Sequence, residues 1–371
     1  MPGGNLFHSL PSGILAKTAL APGRTVMPLS EKLLIQRIRR AAARGAHSGR
    51  GIGDDCAVLP IPRGHEALVT TDLNLEDVHF RREWHPPDSV GHRCLTRGLS
   101  DIAAMGGIPR AAFLSLALPA DLPQEWVDRF IAGLVKLATR FSVQLAGGDT
   151  AQSPDGVLAD IMVLASVPAG RAILRSGARP GDSIYVTGTL GSAAAVLNLL
   201  RDGKKLRPGS HPKHFYPEPR LAVGRYLREN ELASSMIDVS DGLSTDLGHL
   251  CEESKTGAVV YAESLPTIAG LTLALHGGDE YELLFTAHPN RRIPKLVAGV
   301  PVTRIGEITR GRQMKLVTAA GKREILKPAG WEHFARNGEV KRSDPSASTF
   351  VTMLGERLNA KLALFRRGRC L

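Results

Sequence analysis

Seven aspartates stand beside glycines or at the ends of apolar runs. They are Asp54 and Asp55 in Gly51-Ile-Gly-Asp-Asp, Asp72 in Thr70-Thr71-Asp72, Asp101 in Leu99-Ser100-Asp101, Asp149 in Gly147-Gly148-Asp149-Thr150, and Asp238 and Asp241 in Asp238-Val-Ser-Asp-Gly242. Any one of these alone reads as a helix cap or turn residue. Together they read as a shared site, because carboxylates gathered out of water repel by about 4 kcal/mol per pair at roughly 4 Å and an effective dielectric of 20. Magnesium offsets that repulsion with a preference for carboxylate oxygens, retained waters and substrate phosphates. No G-x-x-x-x-G-K-[ST] loop and no protein-kinase catalytic-loop signature occurs, so phosphates would be held chiefly through metal, glycine N–H groups and Arg175.

The elements that must position these acids alternate along the chain. Helices are predicted over Glu31–Ala43 (capped by Ser30), Val90–Met105, Pro123–Phe141, Gly191–Leu200, Arg220–Ala233 and from Gly242 to Glu253. Strands are predicted over Ala67–Thr71, Ala112–Leu118, Val143–Ala146, Val157–Val167, Ser183–Thr187, Met236–Val239, Val259–Ala262, Tyr281–Thr286 and Val302–Ile308. Residues 201–219, rich in Pro, Gly, Lys and His, read as a loop. The pattern indicates an α+β (mixed α/β) protein. Its units are a disordered extension over 1–29 (or a true start at Met27), domains over 30–167 and 168–334, and a basic tail over 335–371 with one short helix at Phe350–Leu364.

The net charge is +11, but residues 1–53 supply +7 and residues 332–371 supply +4. The core between them is neutral, which argues against a nucleic-acid groove in the folded part. Four cysteines lie far apart without a C-x-x-C pair, so zinc and disulfide frameworks are not expected and a cytoplasmic setting is. No apolar run reaches the roughly 18 residues of a membrane helix; Val157–Val167 is broken by Asp160.

The order of motifs resembles the thiamine-monophosphate kinase family over residues 30–334. The pieces are Gly51–Leu59, Thr70-Thr-Asp72, Val78-His-Phe80, Leu99–Gly106, Gly147-Gly-Asp-Thr150, Arg175-Ser-Gly-Ala178, Asp238–Leu243, Gly277-Gly-Asp-Glu-Tyr-Glu-Leu283 and Gly330-Trp-Glu-His-Phe334. The wider superfamily includes aminoimidazole ribonucleotide synthetase, selenophosphate synthetase and a hydrogenase maturation protein. Another ATP-dependent member acting on a different small substrate is the alternative.

The resemblance implies a two-domain aminoimidazole ribonucleotide synthetase-like fold whose N-terminal domains pair into a dimeric β-barrel-like interface. It also implies ATP-dependent conversion of thiamine monophosphate to thiamine diphosphate by direct in-line transfer. By that similarity, Asp55, Thr70, Thr71, Asp72, Asp101, Asp149, Asp238 and Asp241 would ligate several Mg2+ ions, with Asp54 supporting them. Asp55, Asp72, Asp101 and Asp149 would carry the catalysis. Gly148, Asp149, Arg175 and Ser240 would contact ATP, and His79, Asp279 and Trp331 the thiamine monophosphate. The sequence departs from the family pattern at Asp279-Glu280 (usually Glu-Asp), at Asp77 (usually Gly) and at Gly98 (usually Asn).

Overall fold

The computed structural model describes residues 31–43, 52, 56–57 and 59–333. Ser30, Asp54, Asp55 and the helix expected at Phe350–Leu364 lie outside the described residues.

Alternating side chains build the first sheet. Strands β1 (His65–Leu75), β2 (Ile108–Pro119), β3 (Gln144–Ser153) and β4 (Leu158–Pro168) pair in the order β1-β4-β2-β3. Only β2 and β3 run parallel. One face carries Ile161, Val163, Leu114 and Leu116, all buried. It is covered by α2 (Pro87–Ala104), against which α3 (Gln124–Arg140) packs. The period-two pleat sends the intervening residues to the other face. That face is half open: Val69 is 60% exposed and Leu73 49%, with Thr71, Met162, Phe113 and Asp160 in register beside them. Helix α1 (Glu31–Ala42) lies against β3 and α3.

The second sheet collects β5 (Ser183–Thr187), β6 (Ser235–Val239), β7 (Gly257–Tyr261), β8 (Glu282–Ala287), β10 (Val300–Thr309), β11 (Met314–Val317) and β12 (Arg323–Ile325), in the order β12-β11-β7-β10-β5-β8-β6, with the short β9 (Leu296–Val297) on β10. Its helices are α4 (Ser192–Arg201), α5 (Pro212–Phe215), α6 (Leu221–Glu229), α7 (Leu243–Ser254) and α8 (Leu271–His276). Every residue of β8 is buried, because the strand feeds two cores. Leu283 and Phe285 join the core under the first sheet, while Leu284 joins Ile237, Val239 and Leu247 on the far side. Continuous apolar runs suit strands covered on both faces. Helix α2 touches β1, β4, β6, β8 and α6, so it is the element shared by both halves.

The strand expected at Val143–Ala146 continues to Ser153, so Gly147-Gly148-Asp149 lies within β3 instead of following it. The parallel partner β2 supplies the ladder that holds it extended. Helix α6 stops at Glu229, four residues before the expected Ala233, where Glu231 takes a left-handed φ of 51°. The loop at 201–219 contains the short α5. Among the described residues no helix is long and apolar enough to cross a membrane.

Candidate active site

Helix α2 starts at Pro87, whose missing N–H costs nothing in a first turn. It lies close on β4 because residue 98 is glycine: a Cβ there would stand 2.7 Å from Val163 Cγ2. The departure from asparagine at this position therefore has a packing reason. Arg93, Arg97 and Asp101 follow at intervals of four, a spacing that stacks side chains on one helix face. That stripe is the floor of the site.

Near the C-terminal end of α2, Thr70 Oγ1 donates to Asp101 Oδ2. Asp72, on the same face of β1 as Thr70, is drawn into the same cluster. Ser100 Oγ donates to Asp238 Oδ2 at 2.6 Å from the end of β6, in a fully buried contact. Burial raises the proton affinity of Asp72, Asp101 and Asp238, and the charge of Asp101 adds to the rise at the other two. Arg97 and Arg175 act in the opposite sense, with Arg97 Nε standing 3.7 Å from Asp72 Oδ1. A desolvated, mutually repelling set of oxygen donors is the chemistry that a hard divalent cation fits. Among the described residues, no three His, Cys, Asp or Glu side chains already stand in ligating arrangement around one point.

Two loops from the second half close over this floor. Asp246 Oδ2 accepts the N–H groups of Ser240, Asp241 and Gly242 at 3.1, 3.2 and 3.0 Å. The carboxylate reaches back from the first turn of α7 and ties down the loop that leads into the helix. Burial, reinforced by Asp241, still pushes the Asp246 carboxyl up to about 7. The Asp279 N–H donates to the Ser240 carbonyl at 2.7 Å and the Trp331 N–H to the Asp241 carbonyl at 2.9 Å. These bonds bring Ser240, Asp241, Asp279 and Trp331 together from three segments, the β6–α7 loop, the α8–β8 loop and the stretch after β12.

The swapped acids point in different directions. Asp279, at a left-handed φ of 61°, accepts from Arg93 Nη2 at 2.8 Å and from the Tyr281 hydroxyl at 2.6 Å. Arg97 Nη1 is 3.5 Å from it. Burial works to raise its pKa, but Arg93 and Arg97 outweigh that and hold the carboxyl well below the usual range. Glu280 turns away to the start of α4, where the Ala193 N–H donates to Oε1 at 2.9 Å. Its Oε2 is buried without a hydrogen-bond partner, and burial pushes the carboxyl up to about 7.

Other expected site residues lie apart from this cluster. The pleat puts the Thr71 side chain on the open face, opposite to Thr70 and Asp72. Asp149 shares that open face through Ser115 and Asp160. With Gly148 it lines an open cavity of about 670 Å3 that Ile35 and Ile38 of α1 also line. His79 Nδ1 accepts the Leu75 N–H at 3.0 Å within the turn that follows β1. In that turn Asp77 sits at φ 65°, a conformation in which glycine is unstrained, so the family's usual residue there has a backbone reason.

Family models for AIR synthase related protein match this geometry in sequence, the N-terminal domain over residues 53–167 and the C-terminal domain over residues 179–319. The chain is 38% identical over 304 residues to the thiamine-monophosphate kinase of Escherichia coli (strain K12), covering 77% of this chain and 92% of that one. It is 33% identical over 303 residues to that of Bacillus subtilis (strain 168), covering 76% and 93%. The chain belongs to the thiamine-monophosphate kinase family. The solved thiamine-monophosphate kinase of Stenotrophomonas maltophilia K279a superposes with a TM-score of 0.68 at 34% identity, covering 79% of this chain and 98% of that one. AaThiL complexed with AMPPCP and TMP superposes with a TM-score of 0.67 at 30% identity, covering 82% and 97%. The hydrogenase maturation protein HypE, at 20% identity and a TM-score of 0.68, shares the fold. The expected two-domain aminoimidazole ribonucleotide synthetase-like fold is therefore the fold observed.

Arg93, Arg97 and Asp246 of this thiamine-monophosphate kinase family member were not singled out in the sequence, and Ser100 and Tyr281 stood inside quoted motifs without an assigned role. The four-residue spacing of Arg93, Arg97 and Asp101 was the available signal. Asp246, three residues after Leu243, carries the mark of a carboxylate near a helix start.

Proposed function

We propose that this chain transfers the terminal phosphoryl group of ATP to thiamine monophosphate, giving thiamine diphosphate and ADP. The observation that carries the reading is the gathering of Asp72 from β1, Asp101 from α2 and Asp238 from β6, far apart in sequence yet within each other's fields. Asp72, Asp101 and Asp238, with Thr70 and Asp241 beside them and Asp55, Thr71 and Asp149 as further members, would hold Mg2+. When bound, the ion supplies charge neutralisation between two polyanions and alignment for in-line displacement.

The chain's own residues orient the reactants. Arg175, exposed beside Asp101, and the Ser240 loop, held rigid by Asp246, face the nucleotide, with Gly148 assisting. His79, Asp279 and Trp331 receive the acceptor, Trp331 by stacking on its cationic ring. A phosphate monoester has a second pKa near 6, so the acceptor is largely dianionic at neutral pH and requires no strong general base. Transfer is direct, without a phosphoenzyme.

A second copy of the chain covers the open face of the first sheet in this reading. The exposed Val69 and Leu73, with Phe113 and Met162 between strands, support it. Asp149 and Thr71 lie on that face, so the pairing is also what would bring them to phosphate. The test is ADP release from ATP and Mg2+ with and without thiamine monophosphate. Acceptor-dependent release is expected; acceptor-independent release, or none, rejects the assignment.

A further inference from the structure

Two arginines stand one helical turn apart on α2, and they are held in very different ways. Arg93 is 2% exposed; its Nη2 donates to Asp279 at 2.8 Å and its Nη1 donates to the His214 carbonyl. It is locked from both sides, and it alone supplies a close cationic partner to Asp279. Arg97 is 16% exposed and more loosely held: its Nε stands 3.7 Å from Asp72, and its Nη1 lies 3.5 Å from Asp279 and donates to the Tyr281 hydroxyl at 3.2 Å. Its Nε is buried with no hydrogen-bond partner. An unsatisfied buried donor on a permanently charged group costs free energy unless something else engages it.

The position of Arg97 says what that would be. It lies between Asp72, on the carboxylate side, and Asp279, on the loop that faces the acceptor. A guanidinium presents N–H groups in a planar fork that matches two oxygens of a phosphate. Its neighbours do not compete strongly: Asp279 is already satisfied by Arg93 and Tyr281, and Asp72 stands 3.7 Å away, beyond hydrogen-bond distance. We propose that Arg97 is a binding residue for the phosphate of the acceptor, gripping its non-bridging oxygens through the Nη end of the guanidinium while Asp279 and the Tyr281 hydroxyl keep the fork in place. The inference rests on the functional reading above and deepens it. Arg97 would set selectivity for phosphorylated over unphosphorylated acceptor and hold the attacking phosphate against its own repulsion from ATP.

Calorimetry on the full chain separates this role from a structural one. Binding of thiamine monophosphate and of thiamine, which lacks the phosphate, is measured for wild type, Arg97→Gln and Arg97→Lys, with the ATP KM and thermal midpoint of each. The expected result is a loss of about tenfold to a hundredfold in thiamine monophosphate affinity for Arg97→Gln, the range of a charged hydrogen bond. Thiamine affinity and the ATP KM would change less than about threefold on the same scale. Arg97→Lys, which keeps the charge without the fork, should fall between, and it carries the test if the glutamine variant folds poorly. Equal losses for thiamine and thiamine monophosphate, or no loss for either, overturn the proposal. Wild type that turns over thiamine monophosphate while both variants match it refutes the role of Arg97 alone. Wild type that binds no thiamine monophosphate refutes the functional reading and this inference together.

Discussion

Replacing Asp101 by asparagine should stabilise the metal-free protein while abolishing its chemistry. Asp101 raises the proton affinity of both Asp72 and Asp238, so its charge is the one the cluster shares. Two unit charges roughly 4 Å apart repel by about 4 kcal/mol at an effective dielectric of 20. Against this stand the hydroxyl of Thr70, which donates to Asp101, and the fields of Arg175 and Arg97. A hydrogen bond to a charged acceptor exceeds one to a neutral acceptor by about 1 to 1.5 kcal/mol, and the arginines remove a similar amount. A net gain of about 1–2 kcal/mol is left for Asp101→Asn at pH 8 in EDTA. The pH sign follows from linkage. A carboxyl whose pKa is raised on folding keeps its proton in the fold after the unfolded chain has lost it, so the folded state is penalised as pH rises above about 4. The advantage of the variant should therefore be largest at pH 8 and shrink toward pH 4. Urea denaturation followed by tryptophan fluorescence measures the stability, and ADP release measures turnover. A variant destabilised by more than about 1 kcal/mol at pH 8, or one that retains wild-type turnover, would refute the reasoning.

His85 Nε2 and His214 Nε2 meet at 3.0 Å in the core, with His214 Nδ1 3.1 Å from the Ala193 carbonyl. Burial and Arg93 lower their pKa values to about 4 and about 3. Both rings must stay neutral in the fold, so their contribution is lost as pH falls below the unfolded value near 6.5. The stability gap between wild type and His214→Asn should narrow by about 2 kcal/mol between pH 7 and pH 5; a gap independent of pH in denaturation curves would count against the neutral pair. Trp331→Ala should weaken thiamine monophosphate binding more than ATP binding, and equal losses by calorimetry would leave Trp331 a packing residue.

Much of the architecture was legible because burial imposes a period. The pleat of β4 and the amphipathic face of α3 repeat every two and every 3.6 residues, and Ser183–Thr187 was delimited to the residue. The short β9, β11, β12 and α8 offered too few residues to show a period. At the site, acids at the ends of apolar runs drew attention to Asp72, Asp101 and Asp238, which the fold brings near one another. The side on which an acid emerges was not legible: Asp149 and Thr71 differ from Asp72 by the face of a pleat, and register is a property of paired strands. The arginine stripe was missed for a different reason. Arg93 acquires meaning only when Asp279, 186 residues later, folds onto it.

The most direct test is phosphorus NMR of ATP, Mg2+ and thiamine monophosphate incubated with the wild type, Asp101→Asn and Asp238→Asn proteins. Thiamine diphosphate and ADP should appear in equal amounts with wild type, and neither with the two folded variants. Undiminished product from Asp101→Asn and Asp238→Asn would contradict the proposed transfer.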